Sequence, residues 1–115
     1  VIAISSNDVE AFPDDAPEAM TQEAKDQGYP FPYLYDISQA TAREYQAACT
    51  PDFYVFDDAH RCVYRGRFDA STPRNDAPIT GQDLRSALDC LLAETAIDAH
   101  QVPSMGCNIK WKVEG

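Results

Sequence analysis

The four cysteines and the segment "ACTPDFYVFD", which begins at Ala48, are the parts of this sequence whose residue types could carry chemistry. The cysteines are widely spaced and form no C-x-x-C pair: Cys49, Cys62, Cys90 and Cys107. Proline has no N–H to give to a strand ladder, so Pro51 before an apolar strand is unusual. The Thr50-Pro51 bond is therefore a candidate cis peptide, which would expose the backbone N–H and C=O of Thr50. The alternative is an ordinary trans proline that starts the strand.

Thiol redox chemistry requires a thiolate, and a nearby positive charge favours that form. Cys107 lies in a C-terminal tail with Lys110 and Lys112, and a tail cysteine that folds back can resolve a sulfenic acid on another thiol. The alternative is a structural thiol that anchors the tail. Cys49 lies beside the Thr-Pro pair and is either a resolving thiol or a packed thiol at a helix end. The two thiols predicted to be inert are Cys62 and Cys90.

The other kinds of catalytic site find little support in this sequence. Ligand types for a metal are present, but no pair has the spacing of a structural zinc site: His60, Cys62, His100 and Cys107. The sequence has no glycine-rich phosphate loop, and two scattered histidines do not indicate a Ser-His-Asp triad. We therefore predict no metal and no other cofactor.

The composition indicates one globular domain of 115 residues, in which residues 95–115 form a C-terminal tail. The formal charge of −10 disfavours binding to nucleic acid or to an anionic membrane surface. No apolar run has the length of a membrane span, so no membrane association is predicted and a cytoplasmic location is expected.

The first half of the sequence predicts a strand, a helix, a strand and a second helix. The predicted ranges are Val1–Ser5, Asp15–Gln27, Tyr33–Tyr35 and Ser38–Ala47. Asp15 and Ser38 are the predicted N-caps, because short polar side chains accept hydrogen bonds from the first turn of a helix. Gly28 is the predicted C-terminal stop of the first helix.

The second half predicts a hairpin and a closing helix. The predicted strands are Phe53–Phe56 and Arg61–Phe68, and the helix starts at a Thr80 N-cap with Asp83 at the capping-box position. An apolar stripe marks the helix face predicted to be buried: Leu84, Leu88, Leu91 and Leu92. The order β-α-β-α-β-β-α predicts an α/β fold, a three-layer sandwich on a mixed sheet.

Four stretches in this order carry a resemblance over essentially the whole chain: "AISSNDVEAFPDDAPEAM", "ACTPDFYVFD", "YRGRFD" and "GCNIKWK". The sequence resembles the C-terminal half of a thioredoxin-fold domain of the peroxiredoxin-like family, related to alkyl hydroperoxide reductase and thiol-specific antioxidant proteins. The resemblance implies a cis proline at Pro51 that faces the redox centre. It also implies that the redox cysteine lies upstream of Val1, on the helix that precedes the first strand.

The resemblance implies an oxidoreductase that performs thiol–disulfide exchange or reduces peroxide. Thr50 and Pro51 would then shape the substrate edge, and Cys107 or Cys49 would serve as the accessory thiol. The expected partners are a protein thiol or disulfide, or a peroxide. The alternative function is a non-catalytic thioredoxin-like module that binds a partner at the Pro51 edge. The 115-residue chain alone is expected to have little or no reductase activity.

The chain opens within an apolar strand, which indicates a domain truncated at its N-terminus. In the fold implied by the resemblance, a further strand lies between Val1–Ser5 and Phe53–Phe56. Unpaired backbone at such a gap is costly. We therefore expect the chain to be accompanied by its other half, or to fill the gap as a homodimer or by a strand swap.

Overall fold

The structure is a computed structural model that describes residues 1–113, and its helices and short strands give a mixed α/β chain. The elements in chain order are β1 (Ala3–Ser5), α1 (Pro17–Gln27), β2 (Tyr33–Tyr35), α2 (Ala40–Glu44), β3 (Cys49–Thr50), β4 (Phe53–Phe56), β5 (Cys62–Gly66), α3 (Gln82–Leu92) and β6 (Cys107–Asn108). The chain forms two units, one of Val1–Ala48 with the segment that begins at Ile109, and one of Cys49–Asn108.

The first unit contains a parallel βαβ arrangement. Strand β1 pairs with β2 in a register that places Ala3 opposite Tyr33 and Ser5 opposite Tyr35. Helix α1 connects the two strands, as the sequence predicts. The first strand is shorter than predicted, because Val1 and Ile2 lie outside it and are largely exposed.

Helix α1 ends as predicted but does not begin as predicted. Its N-cap is Ala16, which makes no side-chain capping bond, and Pro17 occupies the first turn. Asp15 instead lies in a short 3-10 turn and accepts a hydrogen bond from the Asn7 side chain at 3.1 Å. Gly28 ends the helix with a φ of 63°, a left-handed conformation that glycine adopts without steric cost.

Helix α2 is shorter than the predicted range Ser38–Ala47, and its N-cap is Gln39 and not the predicted Ser38. The Asp36 carboxylate accepts hydrogen bonds from the N–H groups of Thr41 and Ala42. These backbone bonds help to lower the pKa of Asp36 although partial burial opposes them. The chain leaves the helix after Glu44, and Gln46 then has a φ of 54°.

Gln39 connects three parts of the first unit. Its side chain is 1% exposed, and its Nε2 donates hydrogen bonds to the carbonyl oxygens of Ser6 and Lys110 at 2.8 and 3.0 Å. Its Oε1 accepts a hydrogen bond from the Lys112 N–H at 3.1 Å. Both the NH₂ group and the oxygen of the amide are therefore paired, and the amide connects residues 110–112 to Ser6, the residue after strand β1.

The second unit is built on the predicted hairpin. Strand β4 pairs antiparallel with β5, and Val55 and Tyr64 lie opposite each other in the register. These two residues and Ala87 of helix α3 form the buried core, at 8%, 5% and 3% exposure. Strand β5 ends at Gly66 and not at the predicted Phe68. The Arg67 N–H donates to Val102, which lies outside the hairpin.

A buried carboxylate binds the backbone at the start of helix α3. The predicted Thr80 N-cap with Asp83 in a capping box is therefore wrong. The N-cap is Gly81, and the carboxylate of Asp69 accepts hydrogen bonds from the N–H groups of Thr80 and Gly81 at 2.7 Å. Asp83 pairs with Arg67 at 2.5 Å. The predicted apolar stripe is buried only in part, because Leu92 is 83% exposed.

We expect Asp69→Asn to lower the melting temperature of the protein at pH 7 by several degrees, because the amide would place an NH₂ group against backbone donors. The Ser71 hydroxyl and the Gly81 N–H hold the pKa of Asp69 well below its ordinary value of 3.8. A lowered pKa stabilises the fold above the ordinary value, and this stabilisation is lost as the pH falls below it. The difference between variant and wild type should therefore narrow below about pH 4.

Thermal unfolding from pH 7 down to pH 2.5 measures this effect. Asp76→Asn is the control, because Asp76 is an exposed carboxylate in the same loop. A melting temperature of the Asp69 variant equal to that of the control at pH 7 would contradict the prediction.

The strands of the described residues fall into three two-stranded sheets and do not form one continuous mixed sheet. Strand β1 pairs with β2, β4 with β5, and β3 with β6. Among residues 1–113, no helix is long and apolar enough to cross a membrane.

Candidate functional site

Three of the four predicted site residues lie in the β3–β6 ribbon, namely Cys49, Thr50 and Cys107, and the fourth, Pro51, directly follows strand β3. Strand β6 runs antiparallel to β3, so that Thr50 lies opposite Cys107 and Cys49 lies opposite Asn108. The Thr50–Pro51 peptide bond is cis, as the resemblance implies. The predicted tail therefore returns to the segment that contains Thr50 and Pro51, and it brings the Cys107 thiol to that segment.

The two thiols of the ribbon point to opposite faces. Side chains alternate along a strand, and directly opposite residues share a face. Cys107 shares its face with Thr50, whereas Cys49 shares its face with Asn108. Both cysteines are free in the structure, and this register does not aim their Cβ atoms at each other as a disulfide requires.

The two cysteines differ in solvent exposure and in hydrogen bonding, which indicates different roles. Cys49 is half-buried, and its Sγ donates to the carbonyl oxygen of Ser104 at 3.5 Å. Cys107 is exposed, and the Thr50 hydroxyl donates to its backbone carbonyl oxygen at 3.4 Å. Cys49 thus has the contacts of a thiol that fixes the tail, and Cys107 is the thiol of the ribbon that solvent can reach.

Gly106 brings the tail backbone into direct contact with the Thr50–Pro51 peptide. A Cβ atom on Gly106 would lie 2.6 Å from the Thr50 carbonyl carbon and 3.2 Å from the Pro51 nitrogen, and closer still to the Thr50 carbonyl oxygen. Since real Cβ atoms essentially never approach another heavy atom within 3.0 Å, this position has room only for glycine.

A polar network next to the ribbon anchors the tail, and it was not among the features predicted from the sequence. The Ser104 hydroxyl lies 2.9 Å from Asp52 Oδ1 and 2.8 Å from the carbonyl oxygen of Gly66, and its single proton serves one acceptor at a time. The Asp52 carboxylate also accepts a hydrogen bond from the Tyr54 hydroxyl at 3.1 Å, and the Arg65 guanidinium lies 3.6 Å from it. The position of Asp52 directly after Pro51 was the one available signal in the sequence.

The electrostatics of this network favour a neutral tyrosine. Burial and the adjacent Asp52 carboxylate raise the pKa of Tyr54 to about 12. The hydroxyl therefore keeps its proton over the physiological range and remains a donor to Asp52. The Arg65 guanidinium lies 5.3 Å from the centroid of the Tyr54 ring, at cation–π distance.

The remaining predicted residues lie elsewhere in the second unit. Cys62 is exposed on strand β5, and its Sγ donates to the Tyr64 carbonyl oxygen at 3.3 Å. Cys90 and His100 contribute to the lining of a separate cavity of about 290 Å³ next to helix α3. No group of three or more histidine, cysteine, aspartate or glutamate side chains converges in a metal-binding arrangement among residues 1–113.

Two longer proteins of known structure contain a region with the same fold as this chain. An uncharacterized conserved protein from Geobacillus kaustophilus is 54% identical, with a TM-score of 0.95 over 99% of this chain and 60% of that one. The hypothetical protein SMc02350 from Sinorhizobium meliloti 1021 is 50% identical, with a TM-score of 0.96 over 99% of this chain and 62% of that one. The chain thus spans about three fifths of the length of each. No family model matches the sequence, and a search of curated proteins finds no match.

Proposed function

We propose that this chain is the part of a thioredoxin-fold, peroxiredoxin-like oxidoreductase that carries the substrate edge and an accessory thiol. One observation carries the proposal: in the β3–β6 ribbon the exposed Cys107 lies opposite Thr50, the residue that precedes Pro51. The parallel βαβ unit and the later antiparallel hairpin support the thioredoxin-like topology, because their order agrees with the resemblance. The four free cysteines support a reducing compartment, and a cytoplasmic location belongs to the same proposal.

In the proposed reaction, a thiolate upstream of Val1 attacks one oxygen of a hydroperoxide. The O–O bond breaks, the attacked oxygen bonds to the sulfur as a sulfenic acid, and the other oxygen leaves as an alkoxide or hydroxide, which takes a proton from water to become an alcohol or water. The Cys107 thiolate then attacks the sulfenic sulfur, forms a disulfide and releases hydroxide. An external dithiol reduces this disulfide and restores both thiols. Thr50 and Pro51 form the edge beside which Cys107 is held.

The first strand of the chain supports the proposal that a further segment is needed. Among residues 1–113, β2 is the strand that pairs with β1, so the edge of β1 away from β2 is open to a further strand. Ile4, in the middle of this strand, is 44% exposed. Because each similar solved protein is longer than this chain, we propose that a strand of the longer protein covers this edge. A second copy of the chain is the substitute when that strand is missing.

The alternative function, a binding module that captures a partner at the Pro51 edge, requires backbone groups at that edge to be open. In the structure Cys107 and Asn108 already pair with Cys49 and Thr50. This pairing weighs against the binding module and in favour of the accessory-thiol role.

The role of Cys107 predicts that Cys107→Ser lowers peroxide turnover at least about tenfold in the protein extended upstream of Val1. The sulfenic acid on the upstream cysteine should then persist, because no thiol condenses with it. Turnover is measured with a hydroperoxide and an external dithiol, and the sulfenic acid is trapped with dimedone and detected by mass spectrometry. The 115-residue chain alone should show little or no turnover.

Cys62→Ser is the matched control, because Cys62 is another exposed free thiol and lies on strand β5. The control should retain wild-type turnover. Robust turnover by the 115-residue chain, or equal activity of the two serine variants, would refute the proposal.

A further inference from the structure

We infer that the edge at Thr50 accepts an extended polypeptide strand only if that strand has glycine at the position of Gly106, and that residues 104–108 of the chain are its resident occupant. This inference goes beyond the proposed redox function, since it concerns which polypeptide strand fits the same edge and is argued from the backbone geometry there. Residues 104–108 thus occupy the position that a separate strand would take.

The requirement for glycine follows from backbone contacts. A Cβ atom on residue 106 would collide with the carbonyl group of Thr50 and press on the nitrogen of Pro51. All of these atoms belong to the main chain, so no side-chain rotation relieves the overlap. Any strand that takes the same path therefore meets the same restriction, whatever its other side chains are.

The neighbouring positions differ in how strongly the site restricts them. Met105 is 76% exposed, so the position before the glycine tolerates many side chains. Ser104 has its hydroxyl between Asp52 and Gly66, so a small polar residue is favoured two positions before the glycine. The recognised pattern is a small polar residue, any residue and then glycine, which is followed by the residue that pairs with Thr50.

The covalent connection keeps the edge closed in the wild-type chain. A segment attached to its own site has an effective concentration on the order of millimolar, so a free peptide at micromolar concentration does not displace it. A competing strand is expected to bind only when residues 104–108 have been released.

The test uses the complete chain with the substitution Gly106→Val, and Met105→Val as the matched control at the exposed neighbouring position. Two fluorescently labelled peptides serve as probes: PSMGCNIK, which copies residues 103–110, and PSMACNIK, in which alanine replaces the glycine. Amide hydrogen exchange at Cys107 reports whether β6 is paired, and fluorescence anisotropy reports peptide binding. Exchange at Val55 and Tyr64 in the core confirms that each variant is folded.

The wild type and Met105→Val should protect the Cys107 amide and bind neither peptide. Gly106→Val should lose that protection, bind PSMGCNIK, and bind PSMACNIK at least about tenfold more weakly. If Gly106→Val loses core protection, Gly106→Ala takes its place, since it introduces the smallest possible side chain.

Three results would overturn the inference: retained protection of Cys107 in the Gly106 variant, release of the tail without peptide binding, or equal binding of both peptides. These readouts are independent of peroxide turnover. If one of these three results is obtained while peroxide turnover is intact, only the requirement for glycine at position 106 is refuted. Glycine-selective binding in a protein without turnover removes the proposed redox function and leaves a strand-binding edge.

Discussion

Replacing Gln39 by leucine is expected to lower the free energy of unfolding by about 3 kcal/mol, because a buried group that loses its hydrogen-bond partner costs roughly 1–3 kcal/mol. Leucine occupies a similar volume but cannot donate to the carbonyl oxygens of Ser6 and Lys110. It also cannot accept a hydrogen bond from the Lys112 N–H. All of these groups would face an apolar side chain at a position that is 1% exposed.

Urea denaturation measures the effect, with Gln22→Leu as the control. Gln22 is exposed on helix α1, and its side chain donates to Asp26 at 2.7 Å, so its loss should cost less than about 0.5 kcal/mol. Trp111, the one tryptophan of the chain, follows Lys110 and lies under the Arg43 guanidinium at 4.7 Å. Its fluorescence should shift to the red in the Gln39 variant. Equal stabilities of the two leucine variants would show that Gln39 does not act as this connection.

Gly81→Ala is the second substitution expected to have a large effect, with a loss of about 3 kcal/mol in the free energy of unfolding. Gly81 has a φ of 66°, and an alanine there carries a backbone cost of roughly 1–2 kcal/mol. Its Cβ would also lie 2.5 Å from the Phe68 ring, and overpacking of this kind adds roughly 1–3 kcal/mol.

Gly28→Ala separates these two contributions. Gly28 has nearly the same φ, 63°, but a Cβ there would meet nothing within 4 Å. Its substitution should therefore cost only the backbone contribution, about 1 kcal/mol. Urea denaturation of both variants gives the difference, and Phe68→Leu in the Gly81→Ala background should recover part of it. A loss of equal size at Gly81 and Gly28 would contradict the predicted collision with Phe68.

The elements that the sequence predicts well are those fixed by short-range signals. Pro17 and Gly28 bracket helix α1, and the turn residues after Phe56 indicate the hairpin, so these features are confirmed. At helix α3 the predicted Thr80 N-cap is wrong, because a carboxylate distant in sequence binds the backbone there. Asp69 lies eleven residues before Thr80 in sequence and accepts a hydrogen bond from its N–H. No local pattern indicates such a bond.

The candidate site was likewise predicted only in the part that depends on local sequence. The Thr-Pro pair indicated Thr50 and Pro51 as site residues, and a thiol near two lysines indicated Cys107. The pairing of Cys107 with Thr50, and the contact between Ser104 and Asp52, join residues more than fifty positions apart. The folded chain decides such contacts, so no local sequence pattern distinguishes Gly106 from the other glycines.

The pairing of Cys49 with Asn108 has a consequence for the modularity of the chain. These residues are the first and last of the second unit, and they lie opposite each other in an antiparallel ribbon. Partners in such a ribbon have Cα atoms about 5 Å apart. A linker of one or two residues would therefore join the ends of 49–108 without distortion. The two ends of this unit are therefore close enough for backbone cyclisation. They also allow circular permutation, with new termini in the exposed loop near Asp76.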